Sequence, residues 1–172
     1  MNLGAIITSR LGALFATIFI LQVAVVPHFR LGGYVIDLPL IFVVLVGLHL
    51  NPQNGSLTGF LVGLMVDLAL ETPFGMTALT FSLIGFAAGS ASPHVAERNV
   101  ITRALTVALL GATAIALFAS FGVLIGLEYV SRRELGDIAL VTAVAAIPIA
   151  TLLSPVVRWS LALRSFPVTS DQ

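Results

Sequence analysis

Cysteine and lysine are both absent from this sequence of 172 residues, and only 9% of its residues are charged. The lack of cysteine excludes disulfides, thiolate metal sites and cysteine nucleophiles, and the lack of lysine excludes Schiff-base catalysis. Soluble domains carry roughly 25% charged residues, whereas 58% of this chain is hydrophobic. The composition therefore predicts an all-α integral membrane protein, and the zero formal net charge gives no reason to expect a nucleic-acid partner.

The apolar segments of the chain are spaced as about six transmembrane helices. A helix needs about 20 mostly apolar residues to cross a bilayer. The pattern predicts one polytopic membrane domain over residues 1–172, with spans at about 11–26, 34–50, 56–70, 76–92, 104–127 and 138–159. The second span has a short strictly apolar run, so a re-entrant segment is the alternative there. Pro93 is expected to end the fourth span, and Pro148 is expected to kink the sixth.

The arginines favour one orientation of these spans. Six spans place both ends of the chain on the same side of the membrane. That side carries five of the eight basic residues, which are Arg10, Arg98, Arg103, Arg158 and Arg164. Because cytoplasmic loops carry an excess of basic residues, both termini are expected to be cytoplasmic.

Small residues recur at helical spacing in the third and fourth spans. Residues four apart lie on nearly the same face of a helix, so the third span has one stripe of glycine that continues into two acids, formed by Gly55, Gly59, Gly63, Asp67 and Glu71. The fourth span has its own small-residue series of Gly75, Ala78, Ser82, Gly85, Gly89 and Ser92. With only a short connection between them, the two spans are expected to form a tight antiparallel hairpin, since small residues let helix backbones approach closely. The alternative is that one glycine face is reserved for the helix of a partner protein.

Asp67 is the strongest single candidate for a functional residue. A carboxylate within a span costs about 3 kcal/mol, so it should be hydrogen-bonded, paired or protonated inside protein. A buried structural acid, a polar contact to a partner and, with less support, a proton relay are the alternatives. Glu71 lies one turn further on and is expected near the interface. Asp37 precedes the second span as a plausible helix N-cap, with Pro39 in the first turn.

No motif for catalysis is present. The sequence contains no nucleophile elbow, no zinc-protease helix motif and no phosphate-binding loop with lysine. The three histidines fall in different connections and do not form a metal-ligand pattern. We therefore expect neither an enzyme nor a cofactor site.

One central segment closely resembles a known family. Residues 37–89 read DLPLIFVVLVGLHLNPQNGSLTGFLVGLMVDLALETPFGMTALTFSLIGFAAG, which is similar to the rod shape-determining protein MreD. The family pattern has a Pro/Asp pair opening an apolar span, a polar turn with proline, then G-x-x-x-G-L-x-x-D and a glycine before the next span. The matching positions are Asp37, Pro39, Gly59, Gly63, Leu64, Asp67, Pro73 and Gly75.

This resemblance implies a protein of the bacterial inner membrane that takes part in cell elongation. It implies a non-catalytic scaffold that works with the bitopic MreC, with RodA and a class B penicillin-binding protein, and indirectly with the filament protein MreB. It also implies a fold similar to the substrate-binding subunits of energy-coupling-factor transporters. A vitamin-type binding subunit of such a transporter is the alternative function, and binding of a lipid carrier is a third.

Overall fold

The computed structural model describes residues 3–24, 26–28, 36–69, 73, 75–95, 100–126 and 132–161. Within these ranges the chain forms six α-helices, which confirms the all-helical prediction. They are α1 (Leu3–Ala24), α2 (Leu38–Gly47), α3 (Pro52–Ala69), α4 (Met76–Val95), α5 (Val100–Leu124) and α6 (Arg132–Ser160), and a short 3-10 turn at Val26–His28 follows α1.

Several helix ends differ from the sequence-based expectation, and two of these differences have a local chemical explanation. Helix α3 begins at Pro52 rather than near residue 56, because the side chain of Asn51 accepts a hydrogen bond of 2.8 Å from the Asn54 N–H and so caps the first turn. Proline fits this first position because its missing N–H would be unpaired there. Helix α4 does not end at Pro93 but continues to Val95. Only two helical residues follow Pro93, so the proline costs α4 one backbone hydrogen bond close to its end.

Helix α2 lies at the centre of the bundle. It contacts each of the other five helices, and every residue from Pro39 to Gly47 is buried. A helix that is apolar on all sides is stable only when it is surrounded, and α2 has no polar face to present to water. Its 10 residues span about 15 Å, which is half the thickness of a hydrocarbon core. The part of the predicted second span at residues 34–35 lies outside the described residues.

Two helices form a long apolar pair beside this core. Residues Val100–Leu124 and Gly136–Ser160 are each long and apolar enough to cross a membrane, and α5 packs against α6. Pro148 and Pro155 both lie inside α6. The other helices complete the bundle around α2, with Phe15 of α1 packing against Phe42 at a ring-centroid distance of 5.9 Å.

Candidate functional site in the hairpin of α3 and α4

Helices α3 and α4 pack with their backbones in direct contact. A Cβ atom added at Gly63 would lie 2.6 Å from the Cα of Ala78, and one added at Gly89 would lie 2.7 Å from the Cα of Pro52. Real Cβ atoms do not approach other atoms so closely. The pairs run in opposite directions along the two helices, so α3 and α4 are antiparallel. Only a residue without a side chain fits at these positions.

The same close approach continues along the middle of the hairpin. A Cβ at Gly59 would overlap the carbonyl group of Phe81, and Cβ atoms at Gly55 and Gly85 would each overlap the carbonyl group of the other residue. Next to these glycines, the hydroxyl groups of Ser56 and Ser82 form a hydrogen bond of 2.8 Å across the two helices. The small-residue stripes of the sequence are therefore the surface along which α3 and α4 meet.

Helix α2 joins this surface through a glycine that the sequence pattern did not single out. A Cβ at Gly47 would lie 2.8 Å from the Cβ of Ala88 and 3.1 Å from the carbonyl oxygen of Gly85. The hydroxyl of Ser92 also donates a hydrogen bond of 2.7 Å to the carbonyl oxygen of Leu48, just after α2. The available sequence signal was a single glycine at the end of an otherwise apolar run.

These contacts change the interpretation of the glycine face. The sequence allowed this face to accept the helix of a partner protein, but in the structure it is filled by the backbones of α3 and α4 themselves. A partner helix could reach it only if the two helices separated. Gly75 also differs from the expected packing role: its φ angle is +92°, and an added Cβ would meet no atom within 4 Å. Gly75 is therefore required by the backbone conformation of a turn.

Asp67 binds the beginning of α4 from the end of α3. Its Oδ2 accepts hydrogen bonds from the N–H groups of Gly75 at 2.9 Å and Ala78 at 3.0 Å, and its Oδ1 accepts one from Thr77 at 3.1 Å. The first N–H groups of a helix have no partner within the helix. A carboxylate there also interacts favourably with the positive end of the helix dipole. Asp67 is thus an N-terminal cap supplied by a neighbouring helix.

This geometry bears on the roles considered for Asp67. The side chain is only 4% exposed, and both carboxylate oxygens already accept hydrogen bonds within the chain. The arrangement is that of a buried structural acid, and a polar contact to a partner would have to compete with these bonds. Glu71, the next acid in the stripe, lies outside the described residues.

Asp37 caps α2 at the same end of the bundle. Its Oδ1 accepts a hydrogen bond of 2.9 Å from the N–H of Leu40, and the backbone of Asp37 is extended, as an N-cap requires. The neighbouring N–H of Leu38 donates at 2.9 Å to the side-chain oxygen of Gln22 in α1. No local pattern predicts this role of Gln22, because its partner is 16 residues away. Asp37 and Asp67 therefore each hold a different helix start, and each is engaged with backbone N–H groups.

The described side chains contain no group of three or more His, Asp or Glu residues that could hold a metal ion. The polar groups named above are instead paired with backbone or with each other.

Comparison with known proteins places this arrangement in a family. The family model described as rod shape-determining protein MreD matches residues 5–161, so the match extends well beyond the central segment that carries the resemblance. No curated protein and no solved structure matches the chain. The similarity to energy-coupling-factor subunits therefore stays a prediction.

Proposed function

Because the chain belongs to the family of the rod shape-determining protein MreD, we propose that it is a non-catalytic scaffold which holds together other membrane proteins of the cell-elongation machinery. The family is non-enzymatic and membrane-associated, and its role is rod-shape determination. The observation that carries the proposal is the extent of the match, which includes nearly the whole chain. The match includes all six helices almost completely, so a single family accounts for the described fold.

The hydrogen bonding of Asp67 supports a structural rather than a chemical role. A general acid or base needs a side chain that can reach a substrate proton, whereas both oxygens of Asp67 bind the start of α4. The backbone contacts at Gly59 and Gly63 leave no space between α3 and α4. A hairpin fixed in this way suits a protein that presents a constant surface to its neighbours.

We propose that docking uses the outward faces of the bundle. The glycine face is occupied, and bulky apolar side chains point away from the core on both helices of the hairpin: Leu57, Phe60, Leu61, Met65 and Leu68 on α3, and Leu79, Leu83 and Phe86 on α4. Within a bilayer, helix association depends on van der Waals packing rather than on the hydrophobic effect. Large apolar side chains of this kind can pack either against lipid or against a partner helix.

The proposed setting is the bacterial inner membrane, with six spans and both termini in the cytoplasm. The proposed partners are an MreC-like bitopic protein, a RodA-type protein with a class B penicillin-binding protein, and MreB indirectly. These partners are implied by family resemblance, and the arginine distribution supports the orientation.

A pull-down from native membranes tests the proposal. The tagged chain would be purified in mild detergent, and co-purifying proteins would be identified by mass spectrometry against an unrelated six-helix membrane protein carrying the same tag. We expect the MreC-like protein and the wall-synthesis pair. Recovery of paired ATPases with a transmembrane coupling subunit would contradict the scaffold and indicate a transporter component.

The choice of variant matters in this experiment. Gly63→Leu is unsuitable for locating a docking face, because the new side chain would collide with Ala78 and separate α3 from α4. If that variant lost its partners, the loss would reflect damage to the fold rather than the position of a docking face. Gly111→Ala is a suitable control that should keep both its fold and its partners, since the added Cβ would lie at an ordinary distance of 3.6 Å from the side chain of Thr142.

A further inference from the structure

Several basic side chains gather at one end of the bundle, whereas the described acidic side chains lie towards the other end, where α6 also begins with Arg132 and Arg133. Because α3 and α4 are antiparallel and α2 turns directly into α3, one end holds the α2–α3 turn, the start of α5 and the end of α6. His49, Arg103 and Arg158 lie there. Asp37, Asp67 and Asp137 lie near the opposite end, at the starts of α2 and α6 and the end of α3. The basic end therefore has no acidic side chain among the described residues.

Arg103 is the unusual member of this basic cluster. It lies in the first turn of α5 and is only 7% exposed. No hydrogen bond or ion pair joins it to another described residue. A guanidinium that is largely covered by protein is stabilised by an anion close to it, and the nearby charge of Arg158 repels it. The positive charges of Arg103 and Arg158 both act on His49, and that of Arg158 acts on Arg103.

Trp159 indicates how deep this basic cluster would lie relative to a bilayer. The guanidinium of Arg10 in α1 lies 4.9 Å from the ring centroid of Trp159, directly beside Arg158 in sequence. Trp159 is 60% exposed. Tryptophan side chains are enriched where hydrocarbon meets the lipid headgroups. The cluster of Arg10, His49, Arg103 and Arg158 thus lies where a headgroup would be found if the bundle spans a membrane.

We propose that Arg103 and Arg158, with His49 beside them, form a binding site for the phosphate group of an anionic phospholipid. A guanidinium offers a planar fork of donors that matches phosphate geometry, and basic pockets between transmembrane helices bind anionic headgroups. The exposed Arg158 receives the headgroup at the rim, and the buried Arg103 supplies the second positive charge. This site requires membrane insertion but not the scaffold role.

The single tryptophan of the chain makes this site directly measurable. The purified protein would be placed in vesicles of phosphatidylcholine and phosphatidylglycerol with identical acyl chains, one of the two lipids being brominated so that it quenches Trp159. Exchanging the brominated component gives the relative binding of the two headgroups next to Trp159. We expect phosphatidylglycerol to be preferred by at least about fivefold, the effect of roughly one arginine near an anionic headgroup.

Three variants separate the site from a general charge effect. Arg103→Gln and Arg158→Gln should each lower the preference for phosphatidylglycerol about fivefold. Arg132→Gln, at the other end of α6, should leave it unchanged. Helix content by circular dichroism and a single size-exclusion peak would show which variants remain folded. If Arg103→Gln unfolds, the exposed Arg158 still tests the site.

Four outcomes would overturn the proposal. These are equal quenching by both lipids in the wild type, an unchanged preference in folded Arg158→Gln, an equal loss in Arg132→Gln, and removal of the preference by millimolar inorganic phosphate. The last result would identify a soluble phosphate compound, rather than a lipid, as the ligand of the same cluster.

Discussion

Asp67 both ends the glycine stripe of α3 and caps the start of α4, and only the first of these features is visible in the sequence. It ends the glycine stripe of α3, and its carboxylate accepts three hydrogen bonds from the first turn of α4. The acid that looked like a contact for another protein therefore stabilises the turn of its own hairpin. Gly75 makes this cap possible, because its φ of +92° is a conformation that other residues rarely adopt.

Replacing Asp67 by alanine should destabilise the protein by about 3 kcal/mol, since two buried N–H groups and one part-buried N–H group would lose their acceptor. Asp67→Asn keeps one acceptor oxygen and should cost about half as much. Unfolding in detergent during titration with SDS, followed by circular dichroism, measures both. Asp137→Ala removes an exposed acid and should change stability by less than about 0.5 kcal/mol. Equal stability of Asp67→Ala and the wild type would contradict the capping role.

The hairpin of α3 and α4 depends on glycines, which allow the two helix backbones to come into contact. At Gly63 the neighbouring atoms belong to the backbone of Thr77 and Ala78, which cannot move aside as a flexible side chain could. The pair α5 and α6 is packed differently: a Cβ at Gly111 would meet only a methyl group of Thr142 at 3.6 Å. Glycine is thus required in one helix pair and replaceable in the other.

This difference predicts opposite effects of the same substitution. Gly63→Ala should lower stability by about 2 kcal/mol, as overpacking of a close interface does. Gly111→Ala should be neutral or stabilising by up to about 1 kcal/mol, because alanine has the higher helix propensity. The same SDS titration compares the two variants. Equal stability of Gly63→Ala and Gly111→Ala would contradict the close backbone contact between α3 and α4 at Gly63.

Local patterns predicted some elements better than others. The all-helical class, the closeness of α3 to α4 and the cap at Asp37 follow from apolar runs, small-residue spacing and the Asp-Leu-Pro order, all of which act over a few residues. The central position of α2 could not be predicted, because an apolar run looks alike whether protein or lipid surrounds it. The partner of Asp67 was missed for a similar reason: its hydrogen bonds cross from one helix to another.

The distribution of charge along the bundle is the least predictable feature. Arg103 counted in the sequence only as one of the basic residues that set orientation, yet it lies buried at the same end of the bundle as Arg158 and His49. This proximity arises from α2, α5 and α6, which are far apart in sequence. One end of the bundle therefore has the hydrogen-bonded acids Asp37 and Asp67, and the other end has the buried Arg103, with α2 at the centre. The two ends of the bundle therefore differ in their chemistry.

Cell shape after depletion of this protein in its own host tests the central claim most directly. Cell width and length would be measured by microscopy while the chromosomal copy is shut off, with and without a plasmid copy of the wild-type chain. The account predicts that depleted cells become wide and round and that the wild-type copy restores rods. Depleted cells that grow as normal rods, with reduced uptake of a vitamin, would contradict a role in shape and favour the transporter alternative.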